Sequence, residues 1–189
     1  MAGEPLVRAR HLKSLLSFAD EWPGHPGARL RSHLPEADVR AILEASGIDW
    51  LDVRLDLDIT RAVHELLGPD EYLRFFRRQS LSSFQGPLLR TLVDTAQRMF
   101  GLQLASWARW VPKGWALLVR DCGGWTVEAP GAKQVTLRLR ALPQDCSGDE
   151  IWIRSVGASL SALLDLARVD GAVITAREPA AVRYDFTWR

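Results

Sequence analysis

Residues 181–189 constrain the fold of this chain more than any other stretch. Val182, Tyr184, Phe186 and Trp188 alternate strictly with Arg183, Asp185, Thr187 and Arg189. Successive side chains of a strand point to opposite faces, so period-two alternation marks a half-buried strand. Three large aromatics on its inward face need a core to cover them. The elements before the tail indicate which core that is.

Val135, Leu137 and Leu139 alternate with Thr136, Arg138 and Arg140 as a second strand of the same kind. Ser147-Gly148-Asp149-Glu150 fits a capping box, with Ser147 as N-cap and Glu150 at the third helical position. The helix it opens carries Trp152, Val156, Leu160, Leu163 and Ala167, and Asp170-Gly171 ends it. Residues 172–177 and 181–188 then read as two strands separated at Pro179. Upstream, Trp115, Leu117 and Val119 alternate, Asp121-Cys122-Gly123-Gly124 supplies turn chemistry, and Trp125 and Val127 alternate again. That pattern predicts a hairpin. The second half therefore reads β-β-β-α-β-β.

The first hundred residues read as helices. Leu12, Leu15, Leu16 and Ala19 make a helical stripe that stops at Trp22-Pro23-Gly24. A short helix follows over 26–34. Pro35 opens another, which carries Val39, Ile42 and Leu43. Residues 51–54 read as extended, and a helix ending at Gly68 continues from Leu55. Residues 69–84 and 88–100 form a helix pair broken at Gly86-Pro87. The expectation is a single α+β domain over 1–189, with a helical subdivision (1–101) packed on an antiparallel sheet subdivision (102–189).

At 189 residues and 47% hydrophobic, the chain is long enough to bury such a core. Its net charge of +1 gives no field for nucleic acid or an anionic membrane surface. No window is apolar enough to span a bilayer, and the N-terminus lacks the apolar region of a signal peptide. Cys122 and Cys146 match no metal or redox spacing. A cytoplasmic setting with reduced thiols is expected. Lys stands only at Lys13, Lys113 and Lys133 among the 24 basic residues, an Arg bias associated with high-GC bacterial genomes.

The helical front half, Trp50-Leu51 before a helix, the 69–100 helix pair, the 135–140 strand and the closing Tyr184-Asp185-Phe186-Thr187-Trp188 resemble a Myxococcales-restricted family of small proteins of unknown function. More distantly the layout is similar to the superfamily of haem–nitric-oxide-binding domains, 4-vinyl-reductase-type domains and TRAPP subunits. Helices on a twisted antiparallel sheet are what this resemblance implies, with haem, small hydrophobic molecules, lipid or proteins as partners. The haem branch resembles a pattern of a proximal His with a Tyr-x-Ser-x-Arg clamp. Tyr72-Leu73-Arg74-Phe75-Phe76 and Tyr184-Asp185-Phe186-Thr187-Trp188 lack that Ser and Arg. The reductase branch carries cysteines near its last strands, and 169–189 has none.

Among residues with chemistry, His64 lies on a helix beside Ala62, Val63, Leu66 and Leu67 and is the foremost histidine candidate for haem or metal. A ligand needs company, and Glu65 is its one polar neighbour, so a boundary histidine is the plainer reading. Asp52, Asp56 and Asp58 form a carboxylate cluster without the Gly and distal Glu of a calcium loop, which favours a solvated face. No metal site and no cofactor are expected. Arg74, Arg77 and Arg78 form a basic patch for an anionic ligand or an acidic partner, or simply a charged outer face. The serines show no nucleophile motif, so no catalytic group is assigned.

The eight tryptophans are the odd excess. Trp107, Trp110, Trp115 and Trp125 cluster where the helical half meets the sheet, and would wall a ligand pocket or a protein interface. Phe75, Phe76, Leu88, Leu92 and Phe100 exceed what one helix face needs, which points to a homodimer interface. The chain reads as a non-enzymatic cytoplasmic binding module, sensory or adaptor in role, for a small hydrophobic ligand or a protein partner. A haem-type ligand sensor is the alternative.

Overall fold

In a computed structural model of the chain, the structure describes residues 3–85, 90, 94–95, 103–131 and 133–189. The four-stranded sheet has the order β4-β5-β7-β6, with β4 at Gly124–Gly131, β5 at Gln134–Arg140, β6 at Gly171–Glu178 and β7 at Ala181–Trp188. Every pairing is antiparallel. The tail strand β7 is central, flanked by β5 and β6. Val135 faces Phe186, Leu137 faces Tyr184 and Leu139 faces Val182, so the apolar sides of the two strands coincide. All six of those residues are buried, and Tyr184 donates its hydroxyl to the Ile153 carbonyl at 3.2 Å.

The outer face of the same strands is polar. Arg138 and Arg183 stand opposite each other, a repulsive pairing. Glu178 separates them, 3.1 Å from Arg138 Nε and 3.2 Å from Arg183 Nη1.

A second, smaller sheet of order β2-β1-β3 joins Leu6–Arg8 (β1), Trp50–Asp52 (β2) and Val119–Arg120 (β3). Two helices leave this sheet directly. Helix α1 (Ala9–Glu21) follows β1, and its stripe of Leu12, Leu15, Leu16 and Ala19 is buried. Helices α2 (Gly27–His33) and α3 (Glu36–Glu44) lead to β2, and α4 (Arg54–Leu67) follows it. Gly68 ends α4 at φ 82°, a left-handed conformation that a side chain resists, and its N–H bonds back to His64 O. Helix α5 (Glu71–Gln85) packs on the long C-terminal-half helix α9 (Glu150–Ala167), whose other side lies on the sheet. Short helices α6 (Leu104–Ala108), α7 (Val111–Leu118) and α8 (Gln144–Gly148) complete the described part.

The α+β architecture with antiparallel sheets is as expected; the small sheet, whose β1 lies in the part read as helical, was not anticipated, and three further details differ. The hairpin arm anticipated at 115–119 is the helix α7 instead. Trp115, Leu117 and Val119 do alternate, but Val111, Trp115 and Leu118 share a helical face, while Leu117 is 36% exposed. Pro112 in the first turn favours that helix. β3 is only two residues long and pairs with β1, not β4. The cap of α9 is Asp149 rather than Ser147. Asp149 Oδ1 accepts the Trp152 N–H at 2.9 Å, while Ser147 lies in α8 and donates to Gln144 O.

The third difference concerns the expected dimer surface. Phe75 and Phe76 are 0% and 3% exposed, inside an edge-to-face cluster with Phe18, Trp22 and Tyr72. Their apolar area is consumed within one copy of the chain, because α5 is covered by α1 on one flank and α9 on the other. Leu88, Leu92 and Phe100 lie outside the described residues.

Gly157 marks where α9 comes closest to the sheet. A Cβ there would stand 2.5 Å from Thr175 Oγ1 and 3.3 Å from Tyr184 Cε1. Gly157→Val is therefore expected to destabilise by about 1–3 kcal/mol through overpacking. A urea melt checks this: an unchanged midpoint would mean that α9 is free to lift.

Candidate functional site

A cavity of about 600 Å³ opens between the N-terminal helices, α9 and the edge of the large sheet. Its wall is mostly apolar. Trp107 comes from α6, Trp110 and Trp115 from the start and middle of α7, Trp125 from β4 and Trp152 from α9. The four tryptophans singled out in the sequence are thus brought into one wall, with Trp152 added. Trp115 stands edge-on to Trp125, ring centres 5.5 Å apart, and 6.1 Å from Trp152. Edge-to-face packing aligns positive ring edges with negative faces and fixes the rings in place.

The indole N–H groups of Trp107, Trp115 and Trp125 are buried and have no hydrogen-bond partner among the described residues. Each such group costs about 1–3 kcal/mol relative to a bonded one. The rings, not these buried nitrogens, are what the three residues present to the cavity.

Asp56, Gln79 and Ser155 are polar groups buried in the wall with partners, and Asp56 is the charged one. Asp56 on α4 is 6% exposed, and its Oδ2 accepts the Trp152 indole N–H at 2.8 Å. His11 on α1 places Nε2 3.3 Å from Asp56 Oδ1, an ion-pair distance whose geometry falls short of a hydrogen bond. The small sheet accounts for this meeting. His11 lies three residues after β1 and Asp56 four residues after β2, and β1 pairs with β2 through Val7 and Leu51. Pairing of the two strands delivers the two side chains to one place.

Elsewhere in the wall, Gln79 Nε2 donates to Ser14 Oγ at 3.2 Å and to Ser83 Oγ at 2.9 Å, tying α1 to α5. Arg10 and Lys13 on α1 complete this side of the wall.

Other candidates are placed elsewhere. His64 packs edge-on against Tyr72 at 4.8 Å and does not line the cavity. The three carboxylates of 52–58 go three ways. Asp52 accepts the Arg54 N–H, Asp58 pairs with Arg54 and Arg61, and only Asp56 turns inward. Among the described residues no group of three His, Cys, Asp or Glu side chains is arranged to hold a metal ion. The basic patch is also divided. Arg74 pairs with Glu71, Arg77 makes a two-pronged bond to Asp165 at 2.8 and 2.7 Å, and Arg78 lies over the Trp22 ring. None of the three lines the cavity.

The sequence reading missed His11, Asp56 and Trp152 as a unit. Asp56 did carry a signal: it shares a helical face with Ile59, Thr60 and Val63, all buried. A carboxylate inside an apolar stripe announces a buried partner. Cys122 and Cys146, remote in sequence, also meet in the interior as free thiols. The contact with Cys122 and burial push the Cys146 thiol upward, which keeps it protonated.

No protein-family model and no curated protein sequence matches the chain. Solved structures do match it along nearly its whole length. An Fe(II) unliganded H-NOX protein mutant from K. algicida superposes with a TM-score of 0.63, covering 96% of each chain at 11% identity. Its fold is that of the H-NOX domains. A mutant H-NOX of T. Tengcongensis gives 0.56 at 8% identity over 94% of both chains. An oxygen-binding H-NOX domain related to soluble guanylate cyclases, in its oxygen complex, gives 0.53 at 8% identity over 95% of this chain and 92% of that one. Among the described residues, no helix of this H-NOX-like chain is long and apolar enough to cross a membrane.

Proposed function

We propose that this chain is a non-enzymatic sensor domain in which the tryptophan-walled cavity holds a small apolar molecule and a protein partner reads the occupied state. The carrying observation is the cavity of about 600 Å³ walled by Trp107, Trp110, Trp115, Trp125 and Trp152, with His11 and Asp56 as polar groups in the same wall. Small-molecule sites are typically apolar, of this size, and supplied with a few convergent polar groups. Native mass spectrometry of the protein purified from its own host is expected to reveal a non-covalent adduct that organic extraction removes. An adduct-free protein whose tryptophan emission ignores every apolar probe would refute the proposal.

A second reading, a haem-type sensor, is supported by the neighbours of known structure, which include an Fe(II) H-NOX protein and a study of heme distortion in that family. His11, an imidazole in the cavity wall, also favours it. The donor set fits it poorly. Haem iron is held by a His, Cys, Met or Tyr side chain. Among the described residues the wall offers no thiol, thioether or phenol, and the Nε2 of its one imidazole faces Asp56 at 3.3 Å. The expected result of adding hemin to the purified protein is therefore no Soret band of ligated haem. A Soret band that His11→Ala abolishes would establish the haem reading in place of the first.

A further inference from the structure

The wall chemistry also narrows the occupant, given the reading of the cavity as a ligand chamber. Donors and cations outnumber acceptors there. Arg10 and Lys13 stand one helical turn apart on α1, both in the wall. Arg10 is exposed and forms no ion pair among the described residues. Lys13 Nζ donates to Leu43 O at 2.9 Å, a neutral acceptor that leaves the ammonium charge unbalanced.

Two hydroxyls in the wall add donors. Ser14 and Ser83 accept from Gln79 and so keep their hydroxyl protons to donate. Against them, Asp56 is the single carboxylate in the wall among the described residues, and it already bonds to Trp152 and faces His11. Aromatic walls attract organic cations through their ring faces. Here a cation would meet Arg10 and Lys13 with no free carboxylate to receive it. A neutral hydrocarbon would leave Arg10 and Lys13 without an anion.

We propose that the cavity takes a hydrophobic carboxylate, its apolar body among the tryptophans and its acid group toward the Arg10–Lys13 end. Charge-assisted hydrogen bonds to an oxyanion are stronger than neutral ones, and the guanidinium geometry suits a two-oxygen acceptor.

Three probes of one chain length separate the possibilities: dodecanoate, dodecanol and dodecyltrimethylammonium, each kept below micelle formation. They are titrated into the full chain and followed by tryptophan fluorescence. Dodecanoate is expected to saturate at one equivalent and to bind about tenfold more tightly than either other probe. Arg10→Gln, a change at an exposed position, is expected to erase that preference and leave dodecanol binding unaltered. Lys13→Gln is the companion variant, and a wild-type near-ultraviolet spectrum certifies each as folded. Equal or tighter binding of dodecanol or of the cation overturns the acid class while leaving the chamber standing. A preference for dodecanoate that survives both variants overturns the assigned position of the head group. Saturable binding by none of the three overturns the chamber itself.

Discussion

Phe186→Ala is expected to lower the unfolding free energy by about 3–5 kcal/mol, read from urea denaturation. Phe186 is fully buried on the central strand β7, facing Val135 on β5 and Val173 on β6. Truncation removes the transfer free energy of the ring and leaves a cavity that strands paired on both sides cannot close. Arg183, on the same strand, is the control. Its side chain is 38% exposed and its ion pairs lie on the outer face. Exposed pairs contribute about 0–1 kcal/mol, so Arg183→Ala should shift the midpoint little. If the two variants were equally destabilised, β7 would not be the wall of the core that its alternation implies.

The second large effect is expected at Trp152. Trp152→Ala should cost about 3–5 kcal/mol, because the side chain is 2% exposed and packs against Trp115. Trp152→Phe separates packing from hydrogen bonding. The smaller ring still fills much of the space, while Asp56 Oδ2 loses the N–H that now lies 2.8 Å away. Leaving that buried oxygen without its donor should account for about 1–3 kcal/mol. Replacing Asp56 by Leu as well removes both members of the pair. The double variant is then expected to lose less than the sum of the single losses, by about 1 kcal/mol or more. Strict additivity in that cycle would mean that the indole–carboxylate bond contributes nothing to stability. The same variants bear on binding, since both residues line the cavity.

The strands at either side of α9 were legible because their signal is local. Each alternates around one buried face, and a one-residue slip would turn Val182, Tyr184 and Phe186 to solvent. The helical stripe of α1 was equally plain. The arm at 115–119 misled because three alternating positions also fit a helix, and only the wider set of Val111, Trp115 and Leu118 distinguishes the two. The cap misled because Ser147 and Asp149 both precede the helix. What decides between them is that Ser147 is taken up in α8 while Asp149 directly precedes α9, where Arg61 from a different helix also reaches its Oδ2 at 2.7 Å. The aromatic excess drew attention to Trp107, Trp110, Trp115 and Trp125, yet their number alone did not distinguish an open cavity from close packing.

The sequence by itself determined the closing strand, the strand at 135–140, the stripe of each principal helix and hence the α+β class. These follow from side-chain periodicity against a single buried face, and period is a property of neighbouring residues. Only the tertiary structure decided that the tryptophans wall a cavity, and that His11, Asp56 and Trp152 meet within it. Asp56 and Trp152 are 96 positions apart and are joined by one hydrogen bond, for which no local pattern exists. Strand pairing in the small sheet brings His11 to Asp56, and the packing of α9 brings Trp152. The site exists because separate elements converge, and convergence is a property of the folded chain.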